Sequence, residues 1–188
     1  MRGDLDEKQA IRQLKEGDIS GLEFLVNRHQ VKAVHTAYLI TRDVALAEDV
    51  VQESFLSAYG AIRSFDAARP FGPWFMRSVV NGSVKAMQKA RRQVPIEDET
   101  QVRAVSQLAA QMETVESQVE SAEAERQIWE AMQKLSPRQR AVIVQRYFLE
   151  MSEREMAEGS ETAVGTIKWL LNAARERLRT LLAERSDE

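Results

Sequence analysis

Residues 47–59 read AEDVVQESFLSAY and decide the fold more clearly than any other stretch. Six of these positions recur at the three- and four-residue spacing that places side chains on one face of an α-helix: Ala47, Val50, Val51, Ser54, Phe55 and Ala58. We expect this face to enter a helical core. A second, mixed stripe faces outward and consists of Asp49, Gln52, Glu53 and Leu56. By pattern alone, such a charged stripe is typical of a solvated helical face.

Helical patterns continue on both sides of this stretch. Three possible capping boxes, in which a serine caps a helix and the third residue reaches back, are Ser20 with Glu23, Ser136 with Gln139, and Ser152 with Glu155. The predicted helices cover about 6–16, 20–40, 43–61, 73–92, 123–134, 137–149, 152–158 and 163–184, with a loop over 62–72. The sequence therefore predicts an all-α protein of two small helical domains, residues 1–92 and 123–188, joined by an acidic linker at 93–122.

Charge is distributed unevenly along the chain, whose net charge is -3. Residues 93–125 hold eight acidic residues and one basic residue, whereas residues 1–92 and 126–188 carry net charges of +3 and +1. The acidity thus belongs mostly to the linker. Both flanking parts remain mildly basic, which permits contact with nucleic-acid phosphates.

The composition also excludes several classes of protein. With no cysteine, the chain has neither a disulfide framework nor a thiolate zinc site. His29 and His35 stand outside any carboxylate motif, so we expect structural or solvent-exposed roles for both. No apolar run approaches the roughly 18 residues that span a bilayer, and the charged start MRGDLDEKQA lacks the apolar stretch expected of a signal peptide. We therefore expect a soluble cytoplasmic protein that is not an enzyme and has no metal site and no cofactor.

Near the C-terminus, two helical patterns follow each other closely, at 151–158 and from 162 onward. Thr162 can cap the second helix, whose apolar stripe is Val164, Ile167, Leu171, Ala174 and Leu178. Its opposite face presents Thr166, Lys168, Trp169, Asn172 and Arg175. Two helices at this spacing can form a helix-turn-helix that enters a DNA major groove. The pattern fits an ordinary helical hairpin equally well.

The C-terminal sequence resembles region 4 of the extracytoplasmic-function (ECF, group 4) sigma factors of the sigma-70 family. The resemblance is carried by LSPRQRAV at 135–142, MSEREMA at 151–157, VGTIK at 164–168 and ARERLR at 174–179. In that family, region 4 reads the minus-35 promoter element. The resemblance therefore implies base-facing roles for Lys168, Trp169 and Asn172, with Thr166 and Arg175 near phosphates.

This part of the chain also departs from the family pattern. Ser160-Glu161 replace the usual Leu-Gly of the turn, Trp169-Leu170 replace a common Ser-Arg pair, and Ala173 stands where an arginine is common. Two expected cations are thus missing, which lowers the expected affinity of this domain for DNA. The minus-35 sequence that this domain would recognise therefore cannot be predicted from relatives.

The stretch 47–59 resembles region 2.2 of the same family, which docks on the clamp helices of the polymerase β′ subunit. By this resemblance, the outward stripe of Asp49, Gln52, Glu53 and Leu56 becomes the candidate surface for core RNA polymerase. The family's other contact, with the β flap, is expected for the C-terminal domain.

Residues 73–81, PWFMRSVVN, resemble regions 2.3 and 2.4, which hold the melted minus-10 strand. Cations that follow the backbone and aromatic side chains that hold unstacked bases suit a single strand. The candidates for this role are Trp74, Arg77, Asn81, Lys85, Lys89, Arg91 and Arg92, and no acidic residue stands between 77 and 92.

Asn81 matches a family position that helps to recognise an extruded base, and the loop 62–72 would form the rim of its pocket. For Trp74, burial in the core is the favoured alternative to a role in binding DNA. Val80 and Gly82 depart from the family pattern.

Together these resemblances imply an alternative sigma factor that binds core RNA polymerase, recognises minus-35 and minus-10 elements and aids DNA melting. The implied partners are core RNA polymerase, promoter DNA and an anti-sigma factor, without insertion into a membrane. One rival is a sigma-like decoy that sequesters an anti-sigma factor without binding DNA, which the missing cations favour and the basic helix at 77–92 opposes. A second rival, a conventional helix-turn-helix repressor, leaves the first domain without a purpose.

Overall fold

The computed structural model describes the backbone of residues 6–93 and 120–186, and the side chains of residues 6–90 and 126–184. The described residues are helical and contain no β-strand. The chain divides into two compact units, 1–86 and 87–188. The all-α prediction is confirmed. The predicted acidic linker, 93–122, lies almost entirely outside the described residues.

The first unit begins with α1 (Glu7–Glu16), α2 (Ser20–Thr41) and α3 (Val44–Ala61). Local chemistry sets their ends: the Asp6 and Asp43 side chains accept hydrogen bonds from the first turns of α1 and α3, and Gly17 ends α1 at a φ of 92°. The predicted capping box at Ser20 is wrong. Ser20 is itself helical, and its N–H donates to the Asp18 carboxylate at 2.9 Å, which lowers the pKa of Asp18.

A 3₁₀ turn (Ile62–Ser64) leads to α4 (Phe71–Gln93). The predicted loop over 62–72 is therefore too long at both ends, and the predicted start of α4 at Pro73 is two residues late. Proline is tolerated anywhere in a first helical turn, because the N–H that it lacks would have no helical partner there. Phe71 is 1% exposed, so its burial stabilises the added first turn.

The core of the first unit contains buried residues from α1, α2, α3 and α4, and the packing of α3 against α4 forms part of it. All six α3 positions that the spacing predicted to be inward are buried. The Phe75 ring on α4 is fully buried and stacks on Phe55 with centroids 4.3 Å apart. At Gly82 the helices come so close that a Cβ would lie 3.1 Å from a methyl carbon of Val50. This close approach gives a packing reason for the glycine, which otherwise weakens a helix by ~1 kcal/mol relative to alanine.

Burial of His35 on α2 makes the stability of the first unit dependent on pH. Desolvation lowers the pKa of this imidazole, so the unfolded chain takes up a proton before the folded chain does. The resulting stability is present above the unfolded pKa of about 6.5 and is lost as the pH falls through the folded pKa. We expect the urea midpoint to drop between pH 7 and pH 5, and to drop less in His35→Gln. An equal drop in both proteins would contradict this.

The second unit contains α5 (Glu120–Gln133), α6 (Pro137–Ile143), α7 (Glu153–Gly159) and α8 (Val164–Ser186). The capping boxes predicted at Ser136 and Ser152 are both present. The helix predicted over 137–149 changes character at Val144–Phe148, a π-helical segment. There the Leu149 N–H donates to the carbonyl of Val144, five residues back, at 3.0 Å.

α7 and α8 form the predicted pair of helices, and three members of the α8 apolar stripe, Ile167, Leu171 and Ala174, are at most 2% exposed. The inclusion of Val164 in this inward-facing stripe is wrong, since the side chain is 39% exposed. α8 begins at Val164 rather than Ala163, so Thr162 is not its cap; the Thr162 hydroxyl donates to the carbonyl of Ser160. Glu161 has a φ of 51°, the left-handed conformation that glycine adopts without strain.

No helix within the described ranges is long and apolar enough to cross a membrane. The same part of the chain contains no group of three or more histidine, cysteine or acidic residues that could hold a metal ion.

Candidate functional site

The first candidate surface is the outward stripe of α3. Asp49, Gln52, Glu53 and Leu56 are all exposed, and Leu56 retains 63% of its surface. The opposite face of α3 is buried, so the stripe is held on a rigid element. Tyr59 extends it by one turn and is 40% exposed. Tyr59 is not among the residues predicted for this surface, although its three-residue spacing from Leu56 places it on the same face.

An exposed leucine beside carboxylates is suited to protein recognition rather than to DNA. The carboxylates would repel phosphates, whereas an apolar side chain rimmed by charges is typical of a docking surface. The α3 stripe can therefore offer apolar contact at Leu56 and pair with basic residues of a partner at Asp49 and Glu53.

The second candidate surface lies along α4. Arg77, Asn81, Lys85 and Lys89 follow one another at intervals of four residues, so they share one side of the helix. Asn81 and the two lysines are exposed, and Arg77 is half-buried. Arg91 and Arg92 belong to the same helix, but their side chains lie outside those described. The surface offers cations to phosphates and an amide to a base edge.

Aromatic residues lie at the beginning of this basic side. The half-buried Trp74 contacts the rings of Phe65 and Phe71, with centroid distances of 4.7 and 5.5 Å. Trp74 therefore packs against core residues with part of its indole, as the core alternative predicts. The rest of the side chain remains accessible, so a contact with DNA stays a prediction. Phe75, its neighbour, is wholly a core residue.

The loop before α4 stands beside these aromatic residues. Asp66, Ala68, Arg69 and Pro70 are exposed, whereas Phe65 at the loop's start is 5% exposed. The Asp66 carboxylate accepts a hydrogen bond from the Ala68 N–H at 3.0 Å, and its carbonyl accepts one from the Arg69 N–H at the same distance. The loop is therefore a defined turn with exposed polar groups, and the two phenylalanines that flank its tip contact the Trp74 ring.

The third candidate surface is the outward face at the start of α8. Thr166, Lys168, Trp169 and Asn172 are exposed, and Arg175 is half-buried. Trp169 keeps 67% of its surface, which is the accessibility that a base or partner contact needs. The structure therefore brings the five predicted residues together on one helix.

Both cations of this third surface interact with other residues of the second unit. Lys168 lies 3.9 Å from the Glu153 carboxylate on α7. The Arg175 Nε donates to the Tyr147 hydroxyl at 2.9 Å, and the guanidinium lies 5.8 Å from the centroid of that ring. The sequence did not predict these pairings. A bound phosphate would compete with Glu153 for Lys168 and with Tyr147 for Arg175, although an exposed ion pair of this kind contributes little by itself.

Comparison with known families identifies both helical units. The family model for Sigma-70 region 2 matches residues 25–93, and the model for Sigma-70, region 4 matches residues 125–178. The chain is 32% identical over 181 residues to the ECF RNA polymerase sigma factor SigW of Bacillus subtilis (strain 168), covering 94% of this chain and 97% of SigW. It is 29% identical to the ECF RNA polymerase sigma-E factor of Haemophilus influenzae, covering 95% and 96% of the two chains.

Solved structures give the same result. CnrH, in complex with the cytosolic domain of CnrY, matches with a TM-score of 0.63 and 25% identity, covering 95% of this chain and 97% of CnrH. The sigma factor RpoE of Bartonella quintana, in complex with the anti-sigma factor NepR, matches with a TM-score of 0.60 and 25% identity, covering 81% and 90%. With both regions matched in order and a relative above 30% identity along 97% of its length, the chain belongs to the ECF sigma factors of the sigma-70 family.

Proposed function

We propose that this protein binds core RNA polymerase and directs it to promoters by recognising minus-35 and minus-10 elements and capturing melted minus-10 DNA. The observation that carries the DNA part is the basic side of α4, where three exposed polar residues follow the half-buried Arg77 and Trp74 without an intervening acidic residue. Membership of the sigma-70 family supports the proposal, as does the lack of any aspartate or glutamate in residues 77–92. The protein acts in the cytoplasm, where RNA polymerase works.

The proposal assigns separate tasks to the two faces of the first unit. The α3 stripe docks on the β′ clamp helices, with Leu56 as its apolar anchor and the carboxylates of Asp49 and Glu53 facing basic residues. On α4, Lys85 and Lys89 contact the backbone of the displaced strand, and Asn81 contacts a base that has left the stack. Capturing such a base offsets the few kcal/mol that unpairing costs.

The second unit recognises the minus-35 element and contacts the β flap in this proposal. Trp169, Lys168 and Asn172 at the start of α8 face the major groove, and Thr166 and Arg175 lie near phosphates. Because Lys168 and Arg175 interact within the protein, we expect this unit to contribute less affinity than its charges suggest. Trp169 can contact a thymine methyl group.

An anti-sigma factor is the proposed regulator. CnrH and the Bartonella RpoE were both solved in complex with a second protein, CnrY and the anti-sigma factor NepR respectively. A comparable partner of this chain would cover the exposed α3 and α4 surfaces and so prevent contact with polymerase and DNA.

Run-off transcription with purified core polymerase and this protein on genomic fragments tests the proposal. We expect promoter-specific transcripts. Tight binding to an anti-sigma factor without any transcript would contradict the proposal and indicate the decoy, for which the engaged cations of α8 are the supporting observation. A promoter-bound protein that never associates with core polymerase would instead indicate a repressor.

Replacing Asn81 with alanine tests base capture on α4. We expect run-off transcription from duplex DNA to fall roughly tenfold, since a lost base contact typically costs about 1–3 kcal/mol. A template already unpaired across the minus-10 element should lessen the defect, because melting no longer depends on capture. The matched control is Asn27→Ala, which removes an exposed asparagine from α2. Equal defects on duplex and unpaired templates would contradict this role.

A further inference from the structure

The loop between the 3₁₀ turn and α4 is anchored at both ends. Its exposed tip, Asp66–Pro70, lies between two phenylalanines that are buried in the core, Phe65 and Phe71. The two rings contact each other edge to face, with centroids 5.8 Å apart. Apolar burial thus brings the loop ends together, but it does not by itself orient the polar backbone groups at those ends.

Two side chains of α1 bind these backbone groups. The Lys15 ammonium donates a 2.6 Å hydrogen bond to the carbonyl of Phe65, where the loop begins. Eight residues earlier on the helix, the Glu7 carboxylate accepts a 3.4 Å hydrogen bond from the N–H of Phe71, where the loop ends. One rigid helix therefore contacts both ends of the loop, across 50 and 64 residues of sequence.

Glu7 is in turn oriented by α2. Its second carboxylate oxygen lies 2.9 Å from the His29 Nε2 and 3.3 Å from the Arg28 Nε. The His29 ring packs against Phe71, with centroids 5.4 Å apart. A carboxylate at the first N–H of a helix also interacts favourably with the helix dipole. These contacts hold the carboxylate oxygen that binds α4 in one place.

We propose that α1 acts as a clamp on the loop Phe65–Pro70, and that Glu7 and Lys15 are positioning residues for selection of the minus-10 base. This inference rests on the proposed function and on the expectation, implied by the family resemblance, that the loop forms the rim of the pocket for the extruded base. A pocket discriminates between bases only if its rim is held within about 0.5 Å, whereas unanchored surface loops move more than that. Both clamp residues lie outside residues 25–93, the part that the region 2 family model matches.

The test uses the full-length protein with core polymerase and a promoter library in which the minus-10 and minus-35 elements are randomised. Its readout is the preference for each base among the transcribed promoters. The variants are Glu7→Ala and Lys15→Met. Glu16→Ala and Lys8→Met are matched controls, because they remove the same residue types from exposed positions on α1. Glu7→Gln and Lys15→Arg retain an acceptor and a donor and serve as rescue variants.

A correct base is usually preferred about 5- to 150-fold over a wrong one. We expect the two clamp variants to reduce the strongest minus-10 preference at least fivefold and to leave the minus-35 preferences within twofold of the parent. The control and rescue variants should keep the parental minus-10 preferences. Unchanged minus-10 preferences in the clamp variants would overturn the inference while leaving the proposed function intact. If the parent protein transcribes no promoter in the library, that result contradicts both the proposed function and this inference.

Hydrogen exchange of the amides in the loop and at Phe71 provides a second readout that needs no DNA. In the clamp variants these amides should exchange at least tenfold faster, while the α3 amides exchange at the parental rate. Equal acceleration in both places would show general destabilisation and overturn the clamp. Parental exchange in the loop would overturn it as well.

Discussion

Substituting Leu56 with glutamate should weaken binding to core RNA polymerase at least about 30-fold, the effect of losing one interface hot spot of about 2 kcal/mol. Leu56 is the large apolar side chain of the α3 stripe and keeps 63% of its surface exposed. Its replacement leaves the core of the unit untouched, but it places a further carboxylate where the docked surface must be desolvated. Buried charge without a partner is costly.

Ile19→Glu is the matched control for this experiment. Ile19 precedes α2, belongs to the same unit and is 64% exposed, so the two substitutions change equally accessible apolar side chains. Anisotropy of the labelled protein titrated with core polymerase measures both affinities. We expect Ile19→Glu to bind within twofold of the parent. A loss of the same size in both variants, or in neither, would contradict docking through α3.

Replacing Phe75 with alanine should destabilise the first unit by about 3–5 kcal/mol, the usual cost of emptying a phenylalanine site in a core. The ring is fully buried between Phe55 and Phe71, with centroid distances of 4.3 and 5.5 Å. Domains are commonly stable by only about 5–15 kcal/mol, so this loss is a large part of the total. Phe75→Leu keeps most of the volume and should cost less than half as much.

Hydrogen exchange resolved along the chain measures this effect in the intact protein. Protection of the α3 amides in residues 47–59 should fall by at least 100-fold in Phe75→Ala. Protection of the α8 amides in residues 164–178 should remain, because those residues belong to the other compact unit. Loss of protection in both helices, or an unchanged α3, would show that Phe75 does not act through the core of its own unit.

Short-range chemistry made much of the fold predictable. The spacing of residues 47–59 identified every buried position of α3, and the serine caps at Ser136 and Ser152 form as expected. The prediction failed where two local signals competed. At Ser20 the nearby Asp18 carboxylate bonds to the serine N–H, and the helix takes in the serine itself. At Phe71 burial of the ring extends α4 past the proline that was expected to begin it.

The candidate site was predictable to a similar depth. Periodicity showed which residues of α3, α4 and α8 share a face, and exposure agrees with it along α3; on α4 and α8, Arg77 and Arg175 are half-buried and Val164 is exposed. The contacts between elements were not predictable, because they join residues far apart in sequence that show no pattern. Lys15 bonds to Phe65, and Arg175 bonds to Tyr147. Neither pairing is visible until the helices have packed.

The missing side chain at Gly82 has a consequence for how a promoter would be read. Because α4 there lies directly against Val50 and beside Ser54 of α3, the proposed polymerase face and the proposed DNA face belong to two helices in close contact. If both proposed contacts are made, the spacing of this helix pair sets the distance between the docked polymerase and a captured base. A side chain at position 82 would require Val50 to move by a few tenths of an ångström, and would thus alter the contact between the two helices without changing any residue that is proposed to touch DNA.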